Sequence, residues 1–487
     1  MIGISLLHRL SLYLLFSLVE DKQFSMPFKI ISYSLLIISS VLLAFSFFQN
    51  EVIYNNSLGQ ISHNYTNDGD QIFPQVKSFE SITEDKFIHW DVLAYHKLKN
   101  DLYLTKGDYP KLNFAFFPLF PIIWKMTGLS EKYIGFLNYG FFILGVVFLG
   151  LALAEKPFET SKTEYLILCL LPTNCVFFIP YSEALFFLTF SIAIWAFIKD
   201  YKIWLFLALF LNATSRSSGN IILLSMLAVD SVYFFKNGFD VVKIKKAVLY
   251  RYLPIVLGII LVGLIQMYYG SPSFFYFFSV QKEFWGLYLS WPGEISDWSK
   301  EGFALNYGTV FLVVLPTLLY VTKNGFAIFV KSIDFPQANQ SDETSSKKEF
   351  LFFVSSVYIL ANFLITIFFR HGSINTLFRY AIATPFFFFV CLMFDQIIQL
   401  SLKKKILFLV STLILAIFFL SYIPFASNVD FQWVGFFLLY WFGFLFLLKE
   451  YRKFIVYKIG LVVYCIMSVI WQAYLLNVYL SDGWIFL

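Results

Sequence analysis

Long apolar runs separated by short polar breaks recur along almost the whole chain. Windows stand out near 28–48, 133–154, 165–180, 183–198, 202–214, 217–235, 252–269, 304–321, 350–369, 377–396, 406–421, 432–448 and 455–475. About 20 apolar residues cross a hydrocarbon core as a helix. The pattern therefore predicts an all-α polytopic membrane protein with about 11 to 13 transmembrane helices, 202–214 being the weakest window.

The polar breaks set the orientation. Short loops rich in Lys and Arg favour the cytoplasmic side, which places 199–202, 243–251, 402–405 and 449–453 there. The stretch 322–349, with its Ser-rich core KSIDFPQANQSDETSSKKE, reads as a cytoplasmic linker. Threading then leaves 49–113, 271–303, 370–376 and 422–431 on the extracytoplasmic face, within one integral-membrane domain. That path requires FAFFPLFPIIW (114–124) to make no net crossing, or a neighbouring window to split into two short helices. Pro118 and Pro121 favour a broken or re-entrant element, tolerated where protein or water satisfies the freed backbone. The first 25 residues carry an apolar patch without a small-residue cleavage site and read as an interfacial helix. Met26 opens an equally clean basic-then-apolar span, so both Met1 and Met26 stand as starts.

Composition agrees with the pattern. The 487 residues are 59% hydrophobic and 14% charged, against about 25% charged in soluble proteins. The net charge of +5 sits in short loops, which argues against a nucleic-acid partner. Cys169, Cys175, Cys391 and Cys465 fall inside apolar runs without metal-type spacing and read as small core residues.

Candidate chemistry gathers on the extracytoplasmic side. The first loop holds Asp68, Asp70, Glu80, Glu84, Asp85, Asp91, Asp101 and Asp108. These acids leave a divalent Mg or Mn ion open, although no ligand spacing declares one. Asp91 follows Trp90, an interface-anchoring residue type, and precedes a predicted helix over 92–100. Two readings stand for it: a general base whose pKa is raised by partial desolvation, or an N-cap. Glu183, between two apolar helices, is costly unless it faces a cavity or partner; a snorkelling acid at a helix start is the alternative. Arg216, in NATSRSSGN, marks either a pocket or a topogenic charge. Arg370, His371 and Arg379 run against the positive-inside preference, and anion binding is the natural reason. Together these residues suit chemistry on a lipid-linked phosphate.

Several segments resemble one family in order. Trp90-Asp91, Tyr95, Tyr103 and NFAFFPLFP (113–121) are similar to the first-loop pattern of the PIG-V-like mannosyltransferases that add the second mannose in GPI-anchor synthesis. These belong to the GT-C superfamily of polyprenyl-phosphate-sugar-dependent transferases. Leu102 and Ala94 depart from that pattern. LPTNCVFFIPYSEALF (171–186), TSRSSGN (214–220), FFSVQKEFWG (277–286) and FRYAIATP (378–385) resemble later family segments, with Ser218 where Asn is usual. The resemblance spans about residues 85 to 385. It implies a GT-C bundle whose large first extracytoplasmic loop carries interfacial helices, and an inverting transfer of a hexose, mannose by analogy. The implied partners are a polyprenyl-phosphate sugar donor, a lipid-linked or glycan acceptor, and membrane lipid. Asp91 takes the place of the catalytic base. Arg379 and Arg216, with Arg370 and His371 behind them, are expected at the donor phosphate. Glu183 is expected to orient hydroxyls, and Gln281 and Trp285 to line the sugar site. Trp90, Tyr181, Asn113, Phe117 and Pro118 complete the expected substrate-binding set. A lipid-linked-sugar flippase and a non-catalytic scaffold of the same fold are the alternatives; concentration of charge at one face, without an internal repeat, disfavours the flippase.

Overall fold

A computed structural model describes residues 26–58, 79–104, 110–154, 162–237, 240–293, 295–296, 303–329, 343–422, 431–448, 452 and 454–481. The expectations for residues 1–25, for Asp68, Asp70 and Asp108, and for most of 422–431 lie outside the described residues. Apolar side chains at nearly every position leave the backbone to satisfy its own hydrogen bonds, and in lipid a helix does this within one segment.

The helices run in order α1 (Met26–Phe48), α2 (Trp90–Asp101), α3 (Leu119–Thr127), α4 (Glu131–Leu153) and α5 (Glu183–Ile198). Next come α6 (Lys202–Ser215), α7 (Gly219–Asn237), α8 (Val241–Tyr268), α9 (Tyr276–Trp285) and α10 (Leu305–Lys323). The remainder are α11 (Glu343–Phe369), α12 (Leu377–Ala381), α13 (Pro385–Ile398), α14 (Leu402–Tyr422), α15 (Phe431–Phe446) and α16 (Ile455–Leu480). No strand occurs among the described residues; one isolated bridge joins Ser296 to Ser373.

Six helices (α1, α4, α8, α10, α11 and α16) are long and apolar enough to cross a membrane. The 23 residues of α1 or of α4 reach roughly 35 Å at about 1.5 Å per residue, more than the roughly 30 Å core. This is an all-α polytopic membrane protein. The expected count of about 11 to 13 compares with six full-length helices, one bent pair and shorter apolar helices that include α6, α7 and α13 among the described residues.

Three expected segments are revised. The window 165–180 is a short helix, Lys162–Cys169, followed by a 3-10 segment, Pro172–Phe178, that meets α5 at 102°. The window 377–396 divides into α12 and α13, because Pro385 starts a new helix whose N-cap is Thr384. The linker placed over 322–349 is helical at both ends: helix continues to Phe329 and resumes at Glu343. FAFFPLFPIIW is a 3-10 segment, Pro110–Ala115, and then α3, a broken element as the prolines predicted.

Close helix contacts need small residues. A Cβ on Gly145 of α4 would stand 2.5 Å from the Phe187 ring of α5. One on Gly258 of α8 would stand 2.8 Å from the Phe210 carbonyl oxygen of α6. These contacts pack α4 against α5 and α8 against α6.

Candidate functional site

Asp91 lies in the first turn of α2, which His89 precedes as N-cap without a side-chain bond. The N-cap reading of Asp91 therefore gives way: its carboxylate serves no helix end and is available to another partner. That partner is Arg379 of α12, whose Nη2 donates to Asp91 Oδ2 at 2.7 Å. Asp91 is half-buried, and its second oxygen has no hydrogen-bond partner among the described residues. The Arg379 side chain is only 2% exposed, which leaves it little surface for a ligand. Its Nε donates to Glu183 Oε1, and Arg216 Nη1 reaches the same oxygen at 2.7 Å. Two guanidiniums thus converge on one buried carboxylate, the acid that makes their burial tolerable. Both arginines engage Glu183 Oε1, while its Oε2 has no hydrogen-bond partner among the described residues and the residue is 1% exposed.

Aromatic rings frame the network. The Arg379 guanidinium lies 4.3 Å from the centre of the Tyr181 ring, and Arg216 lies 4.9 Å from that of Tyr380. At these distances the ring faces attract the cations. Arg370, at the end of α11, donates to the Asn375 carbonyl at 2.9 Å and to Thr376 Oγ1 at 3.2 Å. No carboxylate partners it among the described residues, and its guanidinium lies 5.9 Å from the Tyr380 ring centre.

Each residue is aimed by a local feature. Asn138 of α4 donates to the carbonyls of Ile179 and Tyr181 at 2.7 and 2.9 Å, fixing the turn that delivers Glu183. Asn212 of α6 donates to Thr189 of α5 at 2.9 Å, tying the helix that ends at Arg216 to the helix that begins at Glu183. The Phe378 amide donates to Asn306 of α10 at 3.1 Å, holding the start of α12. Trp90 and Thr376 have φ of 49° and 64°. Left-handed backbone is costly for such residues and clusters at functional sites. Here it directs the chain immediately before Asp91 and shortly before Arg379.

Tyr95 of α2 shares a hydrogen bond of 2.7 Å with Ser182. Burial, with the Glu183 carboxylate beside it, pushes the Tyr95 phenol well above the ordinary tyrosine range, so it remains neutral. Tyr479 of α16 donates to the Phe87 carbonyl at 2.8 Å, and Asn477 accepts from the Glu80 amide at 2.8 Å. The last long helix thereby holds the segment that enters α2. Tyr95, Ser182, Tyr380, Asn138 and Tyr479 were not picked out as site residues. The YSE tripeptide and the RY dipeptide were the available signals for Ser182 and Tyr380; residues 477 and 479 had none.

The other expected residues lie around this core. His371 accompanies Ser290 Oγ at 2.9 Å and lies 4.5 Å from the Tyr288 ring centre. Trp285 of α9 lies 6.1 Å from the Phe116 ring, which lies 5.1 Å from Tyr95. Gln281 stands on the same helix, half-buried. Asn113, Phe117 and Pro118 are buried beneath, where Phe117 packs 5.8 Å from Phe277. Among the described residues, no three His, Cys, Asp or Glu side chains are grouped to hold a metal ion.

The arrangement can do two things chemically: present a carboxylate oxygen at a half-exposed position, and offer positive charge beside it. Comparison with protein-family models, with curated proteins and with solved structures finds no match to this chain.

Proposed function

We propose that the protein is a membrane hexosyltransferase. It takes a sugar, mannose by resemblance, from a polyprenyl-phosphate donor and passes it to an acceptor hydroxyl at the extracytoplasmic face. One observation carries the reading: Asp91, Glu183, Arg216 and Arg379, from four segments that resemble the PIG-V-like pattern, meet in a single ion network.

In this mechanism the acceptor hydroxyl gives its proton to Asp91 while its oxygen bonds the anomeric carbon from the face opposite the phosphate. The bond from that carbon to the phosphate oxygen breaks, and its electron pair leaves on the polyprenyl phosphate. The configuration inverts. The leaving group needs charge stabilisation rather than a proton. Arg370, which has no acid partner among the described residues, and Arg216, 12% exposed, suit that task better than the enclosed Arg379. Arg379 instead positions the base.

Charge balance supports the same reading. Among Arg216, Arg370, Arg379, Asp91 and Glu183, one positive charge is in excess, which suits a phosphodiester monoanion. When Asp91 takes the proton the excess rises to two as the leaving phosphate gains its second negative charge.

The purified protein should transfer hexose from polyprenyl-phosphate mannose or glucose to acceptor lipids of the source cells, detected by mass spectrometry. Failure with both donors, or full activity in Asp91→Asn, would overturn the proposal.

A further inference from the structure

Tyr380 stands where three cations meet. Its ring centre lies 4.9 Å from the Arg216 guanidinium, 5.8 Å from that of Arg379 and 5.9 Å from that of Arg370. These arginines come from three different segments, so the ring is their common neighbour. A structural tyrosine in such a place would be expected to bury its hydroxyl against an acceptor. Tyr380 is half-buried, while Phe378 and Arg379 before it and Ala381 after it are buried. Its hydroxyl makes no hydrogen bond to protein among the described residues. The neighbouring Tyr95 and Tyr479 hydroxyls both have protein partners.

We propose that Tyr380 is an anion ligand of the site, its hydroxyl donating a hydrogen bond to the phosphate of an isoprenoid phosphate held beside Arg216 and Arg370. The ring gathers the guanidiniums through its face, and the hydroxyl supplies the neutral donor at their centre. A donor of this kind adds direction to a site whose arginines otherwise supply only charge. The proposal rests on the transferase reading and specifies how that site grips its donor.

The test uses the full-length chain purified in detergent, with farnesyl phosphate, farnesol and inorganic phosphate as probes. Tyr380→Phe retains the ring and removes only the hydroxyl. A hydrogen bond to a charged group predicts roughly tenfold weaker binding of farnesyl phosphate by the variant, with farnesol unaffected. Equal affinity of variant and wild type for farnesyl phosphate overturns the role of Tyr380 and leaves the transferase reading standing. If the wild type binds farnesol as tightly as farnesyl phosphate, the phosphate site itself fails and the inference with it. Competition by inorganic phosphate at matching concentration, with the same tenfold loss in the variant, keeps Tyr380 as a phosphate ligand but rejects the lipid-linked source.

Discussion

At the Asp91 end of the bundle, Arg379 and Arg216 share Glu183, Arg379 also binds Asp91, and Arg370 has no acid beside it among the described residues. At the opposite end Arg251 meets Asp230 at 3.0 Å, Lys405 meets Asp395 at 2.7 Å and Arg452 meets Glu164 at 2.7 Å. Tyr252 also donates to Asp230. Arg251 lies 4.7 Å from the Phe350 ring centre, which packs its cation against α11. Both ends bury ions, but a pair such as Arg251 with Asp230 cancels its charge and fastens α8 to α7. Convergence with a cation in excess leaves charge for a ligand. Burial of an ion pair is therefore weak evidence of function, and its charge balance is better evidence.

The largest effect expected on this contrast comes from Asp91→Asn. Loss of a general base should lower kcat by about 10²–10⁴-fold, with a smaller loss of stability than Glu183→Gln, because Asp91 is less buried than Glu183 and Arg379 keeps its Glu183 partner. Transfer assays beside thermal unfolding would check it; a variant with near-normal kcat removes the base from the site.

Glu183→Gln and Asp230→Asn separate the two ends directly. Each leaves a buried guanidinium short of its acid and should cost about 3–5 kcal/mol of stability. Only Glu183→Gln should also change turnover per folded molecule. Equal loss of turnover in both variants would erase the distinction between the ends.

Arg370→Gln should be gentler, since this arginine holds no carboxylate. The donor KM should rise about tenfold, as for loss of one charge-assisted hydrogen bond, while acceptor KM and melting temperature hold. An unchanged donor KM moves the phosphate away from α11.

The smallest effect belongs to the rim. Lys99 of α2 reaches Glu131 of α4 at 3.0 Å, and His96 reaches the same oxygen at 2.8 Å. Lys99→Ala should cost about 1 kcal/mol or less, measured by thermal unfolding, with kcat intact. A large fall in kcat would extend the site to the α2–α4 contact.

Much of this architecture was legible in the order of residues. The window 28–48 is α1, 183–198 is α5 and 202–214 is α6 within a residue or two. Apolar composition over 20 residues leaves the backbone little alternative in lipid. Windows failed at breaks, because mean apolarity is blind to backbone direction. The 102° turn between Pro172–Phe178 and α5, and the division at Pro385, are both marked by prolines rather than by polarity.

For the site, residue type and position singled out Asp91, Glu183, Arg216 and Arg379, since charged groups at apolar helix ends require a partner. Which partner each takes was not legible. Asp91 and Arg379 are 288 positions apart, and Glu183 and Arg379 are 196 apart. The sequence by itself determined the class of protein, the helices and the small set of costly charges. Tertiary structure alone decided that Glu183 meets two arginines, that Arg379 also meets Asp91, and that Tyr380 sits among three cations. Hydropathy acts along one segment at a time, whereas pairing of charges depends on helix ends that only packing brings together.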